Sequence, residues 1–69
     1  MQFTFNKRAF SLALLNKGYT ITELANISKV SKNNISKCLH TGIKPSAKTI
    51  KKIADALEVD AKELVILND

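Results

Sequence analysis

The stretch Thr20–His40 constrains the fold more than any other part of the chain, because it carries two helix-start signals a short distance apart. The pattern Thr20-x-x-Glu23 is a capping box, in which each residue's side chain accepts a hydrogen bond from the other residue's backbone N–H. Ser31 is a favourable N-cap for a second helix, from about Lys32 to His40. The sequence therefore predicts two short helices that meet at a tight turn, which is a helix-turn-helix arrangement.

Apolar residues at helical spacing predict how these two helices pack. The inner side of the first is predicted to consist of Leu24, Ala25, Ile27 and Ser28. The inner side of the second is predicted to consist of Ile35, Cys38 and Leu39. Val30 is expected to lie beneath the turn, and Cys38 to be a small buried hydrophobic residue rather than a redox switch.

Further capping signals predict the remaining helices. These helices are Lys7–Asn16 capped by Asn6, Ala47–Leu57 capped by Ser46, and a short fifth helix from the Asp60-x-x-Glu63 box to about Leu67. Leu12 and Leu15 widen the apolar side of the first helix, so we expect that helix to be well buried. The alternation of apolar and polar residues over 1–5 fits either a short extended arm or a frayed end. The predicted fold is all-α, a compact five-helix bundle formed by residues 1–69 as a single domain.

Composition excludes several classes of protein. The chain has 69 residues, of which 45% are hydrophobic, so it fits one small globular domain. It holds a single cysteine and a single histidine, so an internal disulfide or a zinc site is not expected, and we predict no cofactor. It has no activated nucleophile pair, glycine-rich phosphate loop or catalytic carboxylate pair, so we do not expect an enzyme. No apolar run approaches membrane-spanning length, so we expect a cytoplasmic protein without a membrane partner.

The charge is unevenly distributed along the chain. The net charge is +5, and no Asp or Glu occurs between Leu24 and Ala54. That stretch contains Lys29, Lys32, Lys37, Lys44, Lys48, Lys51 and Lys52. Five of the six acidic residues follow from Asp55 onward. A basic middle with an acidic end indicates either a surface that faces a polyanion or an ordinary solvated lysine-rich face.

Several short stretches between Phe10 and Leu64 together form a pattern. Their combined order and spacing are more specific for a protein family than any single stretch. They are Gly18-Tyr19-Thr20, Glu23-Leu24-Ala25, Val30-Ser31-Lys32, Ile35-Ser36-Lys37, Pro45-Ser46, Thr49-Ile50, Lys52-Ile53-Ala54, Ala56-Leu57, Val59 and Glu63-Leu64. In this order and spacing the chain resembles the lambda-repressor-like, Cro/C1-type helix-turn-helix domains. The resemblance implies a compact five-helix fold and binding to double-stranded DNA, with no cofactor.

The resemblance also assigns roles to individual positions. It implies that the recognition helix is 31–39, with base contacts from Lys32, Asn33, Ser36 and Lys37. The phosphate contacts that we expect are those of Thr20, Thr22, Lys29, His40, Thr41 and Lys44. When bound to DNA, such a protein would be associated with the nucleoid.

The chemistry of the four base-contact candidates suits the major groove. A lysine can donate to guanine O6 and N7 or to a phosphate, and Asn33 can bind adenine N6 and N7 through two hydrogen bonds. Ser36 is short and can donate or accept close to a base edge. All four lie within about 140° on a helical wheel, as a helix laid in the groove requires. The alternative is a solvated polar helix face without a ligand.

Three positions depart from the family pattern. Lys29 stands in the turn where glycine is common, and a non-glycine residue with positive φ costs roughly 1 kcal/mol. Ile21 stands where the family often has a glutamine that clamps a phosphate. Gly42 comes one place late in the loop after the third helix.

Near the C-terminal end of the sequence stand four consecutive apolar residues, Leu64, Val65, Ile66 and Leu67. We expect some of them to contact another chain, most simply in a symmetric dimer that matches a palindromic operator. The alternative is packing against the first helix.

The favoured function is a small sequence-specific DNA-binding transcriptional regulator of the Cro or repressor type, from a phage or mobile-element switch. The alternative is a protein-interaction module of the same fold, antirepressor-like, that binds and modulates another repressor. Ile21, Lys29 and the apolar tail motivate that alternative.

Overall fold

In a computed structural model, residues 3–40 and 45–67 are described. Four α-helices and two short strands follow one another along these residues. They are β1 (Phe3–Phe5), α1 (Lys7–Lys17), α2 (Ile21–Ser28), α3 (Lys32–His40), α4 (Ala47–Leu57), a 3₁₀ turn (Ala61–Leu64) and β2 (Val65–Leu67). The helix-turn-helix is α2 and α3, and helices α2, α3 and α4 begin where their caps predict.

Side-chain hydrogen bonds cap the first turns of the helices. Asn6 Oδ1 accepts the Ala9 N–H at 3.0 Å, and Ser46 Oγ accepts the Thr49 N–H at 3.2 Å. The capping box at α2 is complete, with the Glu23 N–H donating to Thr20 Oγ1 at 3.1 Å and the Thr20 N–H donating to Glu23 Oε1 at 2.9 Å. Such caps are worth typically about 1 kcal/mol each, because they satisfy amides that the helix leaves unpaired.

Three of the helices end in a left-handed residue. The φ angles are 71° at Gly18, 63° at Lys29 and 59° at Glu58. Glycine takes this conformation freely, whereas Lys29 and Glu58 bear the steric cost of a Cβ. The positive φ predicted for Lys29 is confirmed. Its N–H bonds the Ala25 carbonyl at 3.0 Å and so closes the last turn of α2.

A single apolar core joins all the helices. Its buried members are Phe5, Phe10, Leu24, Val30, Ile35, Cys38, Ile50, Ile53, Ala54, Leu57 and Leu64. Helix α2 packs against both α3 and α4, and α4 in turn packs against the 3₁₀ turn. The burial predicted for Val30 beneath the turn and for Cys38 is confirmed.

The predicted fifth helix is wrong. The Asp60 N–H does donate to the Glu63 carboxylate at 3.0 Å, but the box closes only the 3₁₀ turn. The chain then continues as β2, which pairs antiparallel with β1 in the register Phe3↔Leu67, Thr4↔Ile66 and Phe5↔Val65. The residues of both strands are mainly β-branched or aromatic, which favours a strand once a partner strand is available. Over residues 3–40 and 45–67 the fold is therefore four helices with a two-stranded ribbon, not the predicted five-helix all-α bundle.

The predicted burial of α1 is also wrong in part. Phe10 is buried, but Leu12 is 59% exposed and Leu15 is 77% exposed. Helix α1 packs against α4 and the 3₁₀ turn, which together cover only one side of it. In α2, Ile27 is likewise exposed whereas its neighbour Ser28 is buried, with Ser28 Oγ accepting the Val30 N–H at 3.3 Å.

An ion pair ties the C-terminal ends of α1 and α4 together. Lys17 Nζ lies 2.7 Å from Glu58 Oε1. The hydrogen bond from Lys17, reinforced by its charge, lowers the pKa of the Glu58 carboxyl below its usual value. The same hydrogen bond raises the pKa of the Lys17 ammonium. The pair therefore favours the folded chain wherever both groups are charged.

We expect Lys29→Gly to stabilise the fold by about 0.5–1 kcal/mol, because it removes the Cβ strain at positive φ while the freer unfolded chain offsets part of the gain. The measurement is chemical denaturation of both proteins. Lys29→Ala is the matched control, because it also removes the charge but keeps the Cβ. Equal stability of the glycine and alanine variants would contradict the strain at this position.

We expect Glu58→Gln to lower the melting temperature at pH 7 and to lower it by less at about pH 3. The pKa of Glu58 is lower in the folded chain, so its contribution is full above the ordinary value of 4.5 and is lost as the pH falls through the folded pKa. Thermal unfolding at the two pH values measures this. In a Lys17→Met background the effect of Glu58→Gln should disappear, and an undiminished effect there would show that another group holds the carboxylate.

Candidate nucleic-acid interface

Helix α3 is fixed to the domain along one side only. Its Ile35 is fully buried, Cys38 is buried, and Leu39 is partly buried against the core. Ser31 caps it, with Ser31 Oγ accepting the Asn34 N–H at 3.2 Å and the Ser31 carbonyl accepting the Ile35 N–H at 3.1 Å. The inner residues and the cap together determine which side of α3 faces outward.

The four predicted base-contact residues lie on α3 away from its buried side. Lys32, Asn33 and Lys37 are exposed, and Ser36 is partly buried. At about 100° per residue, Asn33 lies nearly opposite the direction of Ile35 and Cys38. Ser36 and Lys37 lie on either side of Asn33, and Lys32 lies toward one margin. The structure thus places all four on one continuous side of one helix.

Asn34 was not among the predicted contacts, yet it is exposed in the first turn of α3. Its backbone N–H is taken by the Ser31 cap, while its side chain lies toward the margin opposite Lys32. The helical wheel contains the signal that would have found it, since Asn34 lies only about 60° beyond Lys37. An asparagine amide there can both donate and accept.

The predicted phosphate contacts fall in three places. Thr20 and Thr22 are exposed at the start of α2, and Lys29 is exposed at its end. Thr20 Oγ1 already accepts a hydrogen bond from the Glu23 N–H. Its hydroxyl hydrogen could still be donated to a phosphate. His40 is exposed at the end of α3. Thr41 and Lys44 lie outside the described residues.

Ile21 is partly buried and packs against the core. A glutamine at that position could reach toward a phosphate, whereas the isoleucine contributes apolar contact to the domain. Phosphate anchoring at the start of α2 therefore depends on the two threonines beside it. Lys29, at the negative end of the α2 dipole, also stabilises its own helix.

Helix α4 presents exposed lysines, Lys48, Lys51 and Lys52. Lys51 Nζ lies 2.9 Å from Asp55 Oδ1, and this hydrogen bond raises the pKa of Lys51. Its charge is thus partly offset by a neighbouring carboxylate. Lys48 and Lys52 are the more effective sources of positive potential on that helix.

Over residues 3–40 and 45–67, no cluster of three or more His, Cys, Asp or Glu side chains could hold a metal ion. Burial raises the pKa of the Cys38 thiol, which keeps it in its less reactive protonated form. Within the described residues, no helix combines the length and apolar character needed to cross a membrane.

The predicted partner surface, 64–67, is divided by the fold. Leu64 is fully buried and packs into the core, because the 3₁₀ turn lies against α1 and α4. Leu64 therefore has no exposed side chain with which to contact a partner. Val65 is partly buried, while Ile66 and Leu67 are 51% and 57% exposed on β2.

Helix α3 is capped at its start, packs on α2 through buried residues, and has a polar and basic outer side. These features define a helix-turn-helix protein of the DNA-binding class. A family model described as the Cro/C1-type HTH DNA-binding domain matches residues 11–69, which include all of α2, α3 and α4. The chain belongs to this family. The comparisons with curated proteins and with solved structures found no match.

We expect Ser31→Ala to destabilise the domain by about 1 kcal/mol, because the Asn34 N–H loses its cap. Chemical denaturation measures the loss. Ser11→Ala is the matched control, since Ser11 is an exposed serine within α1 whose replacement by a better helix former should not destabilise. Equal effects of the two substitutions would mean that the Ser31 cap contributes nothing to holding α3.

Proposed function

We propose that this chain is a small sequence-specific transcriptional regulator of the Cro or repressor type, which binds operator DNA with α3 in the major groove. The observation that carries the proposal is the outward side of α3, where amide, hydroxyl and ammonium groups stand together on a helix held by Ile35 and Cys38. Membership of a DNA-binding family supports it.

In this proposal, Asn33 and Lys37 reach base edges near the centre of the contact, with Lys32 and Ser36 beside them. An asparagine bound to adenine or a lysine donating to guanine discriminates against a wrong base by about 1–3 kcal/mol for a good bidentate pair. Asn34 is a further candidate at the other margin of the same side.

The backbone contacts that we propose come from both ends of α2 and from the end of α3. Thr20 and Thr22 would donate hydroxyl hydrogens, and Lys29 and His40 would approach phosphates from neighbouring positions. Thr41 and Lys44 remain in the proposal from the family resemblance. Each lysine that neutralises a phosphate releases counterions, so binding should weaken as salt rises.

We further propose that the protein binds a palindromic operator as a homodimer, with β2 contributing to the contact. Ile66 and Leu67 present exposed apolar side chains on the last strand of the ribbon, and Val65 is partly exposed. A two-fold axis through such a contact would place two copies of α3 on equivalent half-sites. The setting that we propose is a phage or mobile-element switch in the cytoplasm, with the bound protein on the nucleoid.

The direct test is selection of binding sites from a randomised duplex library, followed by affinity measurements at several salt concentrations. We expect a palindromic consensus, and an affinity for it that falls steeply between about 50 and 200 mM salt. Asn33→Ala should cost about 1–3 kcal/mol, which is roughly a 5- to 150-fold loss of affinity. Asn33→Ala with Lys37→Ala should also abolish the preference for the consensus.

Lys62→Ala is the matched control, because it removes one exposed lysine from the 3₁₀ turn and leaves α3 unchanged. It should keep both affinity and consensus nearly intact. Failure to enrich any sequence, or equal losses in the control and in the α3 variants, would contradict base reading by this helix.

The second candidate function is an antirepressor-like module that binds another repressor. Partial burial of Ile21 favours it, because a residue that would clamp a phosphate is replaced by one that packs on the core. A stoichiometric complex with a larger repressor encoded beside it, together with no DNA binding alone, would favour this function over the first.

A further inference from the structure

The turns that follow α1, α2 and α4 are built alike. In each turn a residue with left-handed φ is followed by one aromatic or aliphatic residue and then by the residue that caps the next element. The turns are Gly18-Tyr19-Thr20, Lys29-Val30-Ser31 and Glu58-Val59-Asp60. Lys29 has φ 63° and ψ 26°, close to the 71° and 24° of Gly18. The hydrogen bonds that close these turns can therefore be compared one by one.

The turns after α1 and α4 close through the helix backbone. The Tyr19 N–H bonds the Leu14 carbonyl at 3.3 Å, and the Val59 N–H bonds the Ala54 carbonyl at 3.0 Å. Such a bond, from the residue after the left-handed position to the last turn of the helix, is common at helix ends. The Leu14 carbonyl also accepts the Gly18 N–H at 3.0 Å, so one carbonyl can hold both amides.

The turn between α2 and α3 closes through a side chain. The Val30 N–H bonds Ser28 Oγ at 3.3 Å. The carbonyl that would take this amide in the other two turns is that of Ala25, which accepts the amide of the left-handed residue at 3.0 Å. Ser28 is the last residue of α2, and the last residues of α1 and α4 are Lys17 and Leu57. Neither of those side chains can accept a hydrogen bond, so the hydroxyl accounts for the difference.

Both partners of this side-chain bond are buried. Ser28 is 6% exposed and Val30 is 5% exposed, and over residues 3–40 and 45–67 Ser28 is the one buried polar residue. It continues the side of α2 that carries Leu24 and Ala25, where an apolar residue would extend the core. A buried hydroxyl or amide without a partner is unfavourable, so each group satisfies the other.

We propose that Ser28 is a positioning residue for α3, because its hydroxyl holds the Val30 amide away from the Ala25 carbonyl. Without the hydroxyl, the buried Val30 N–H needs another acceptor. The Ala25 carbonyl is the equivalent of the one that accepts two amides at the end of α1, where the backbone has nearly the same conformation. Loss of the hydroxyl therefore draws Val30 back toward α2.

A movement of Val30 is passed on to α3. Val30 precedes Ser31, whose hydroxyl and carbonyl both bond amides in the first turns of α3, so the start of the helix follows Val30. Lys32 and Asn33, two of the candidate base contacts, lie in that first turn. Hydrogen bonds to base edges weaken steeply with distance and angle, so a displaced α3 binds DNA less tightly. This consequence rests on the proposed function, whereas the role of Ser28 in placing α3 does not.

The first test is an NMR measurement on the wild-type chain, using couplings between an amide nitrogen and a carbonyl carbon across a hydrogen bond. We expect couplings across the two backbone bonds that close the turns after α1 and α4, and none between Val30 and Ala25. A coupling between Val30 and Ala25 in the wild type would overturn the proposal. The measurement does not depend on any variant folding.

The second test compares Ser28→Ala with the wild type. In the variant we expect the coupling between Val30 and Ala25 to appear. Residual dipolar couplings should show a changed angle between α2 and α3 and an unchanged angle between α2 and α4. Ser28→Cys fills the same space with only a weak acceptor, so it should resemble Ser28→Ala. Wild-type helix angles in either variant would mean that the hydroxyl merely caps the end of α2, and would overturn the proposal.

The third test is affinity for the duplex that the wild type selects, at a temperature where denaturation curves show every variant to be folded. Ser28→Ala should bind about tenfold or more weakly. Asn6→Ala is the matched control, because it removes a side-chain cap that accepts the Ala9 N–H at 3.0 Å and leaves α2 and α3 unchanged. The control should keep its affinity within about twofold.

The outcomes separate this inference from the proposed function. A changed angle between α2 and α3 with unchanged affinity would overturn the role of Ser28 in placing α3 for DNA, and so would equal losses in Ser28→Ala and Asn6→Ala. Failure of the wild type to select any duplex would contradict the proposed function instead. In that case the couplings and the helix angles still decide whether Ser28 places α3.

Discussion

The burial of Leu24 and Ile35 in the core is the constraint on which the rest of this domain depends. Both side chains are fully buried, one from α2 and one from α3, and with Val30 they fix how the two helices meet. Because α4 closes over α2 from the other side, neither helix can rotate without opening the core. The direction of Asn33 and Lys37 is therefore a consequence of packing on the opposite side of α3.

Local signals predicted the helices well, and nonlocal contacts account for what was missed. The boundaries of α3 and α4 follow from Ser31 and Ser46, whose hydroxyls bond amides only three residues away. The strand β2 depends on pairing with β1 from the other end of the chain, which a capping box at Asp60 cannot reveal. Apolar periodicity likewise shows which side of a helix can be buried, but not how much of that side neighbouring elements will cover, as Leu15 demonstrates.

The candidate site was predictable to the extent that it is helical. A helical wheel through residues 32–40 places the polar side of α3 opposite the core, and the structure keeps that arrangement while adding Asn34. The phosphate contacts depend instead on turns and helix ends, where the family pattern and this chain differ. The side chain of Ile21 packs against the core. Any contact with a DNA phosphate at the start of α2 therefore depends on the hydroxyls of Thr20 and Thr22.

The exposed basic residues and the exposed apolar residues of this domain lie on different elements. The outward side of α3 and the exposed lysines of α4 supply the positive potential, while Leu12, Leu15, Ile66 and Leu67 lie on α1 and β2. In a domain this small the core cannot enclose every apolar side chain, so those left outside favour contact with other chains. Because Ile66 and Leu67 lie on β2 and not on α3, association through β2 would add copies of the recognition helix without covering it.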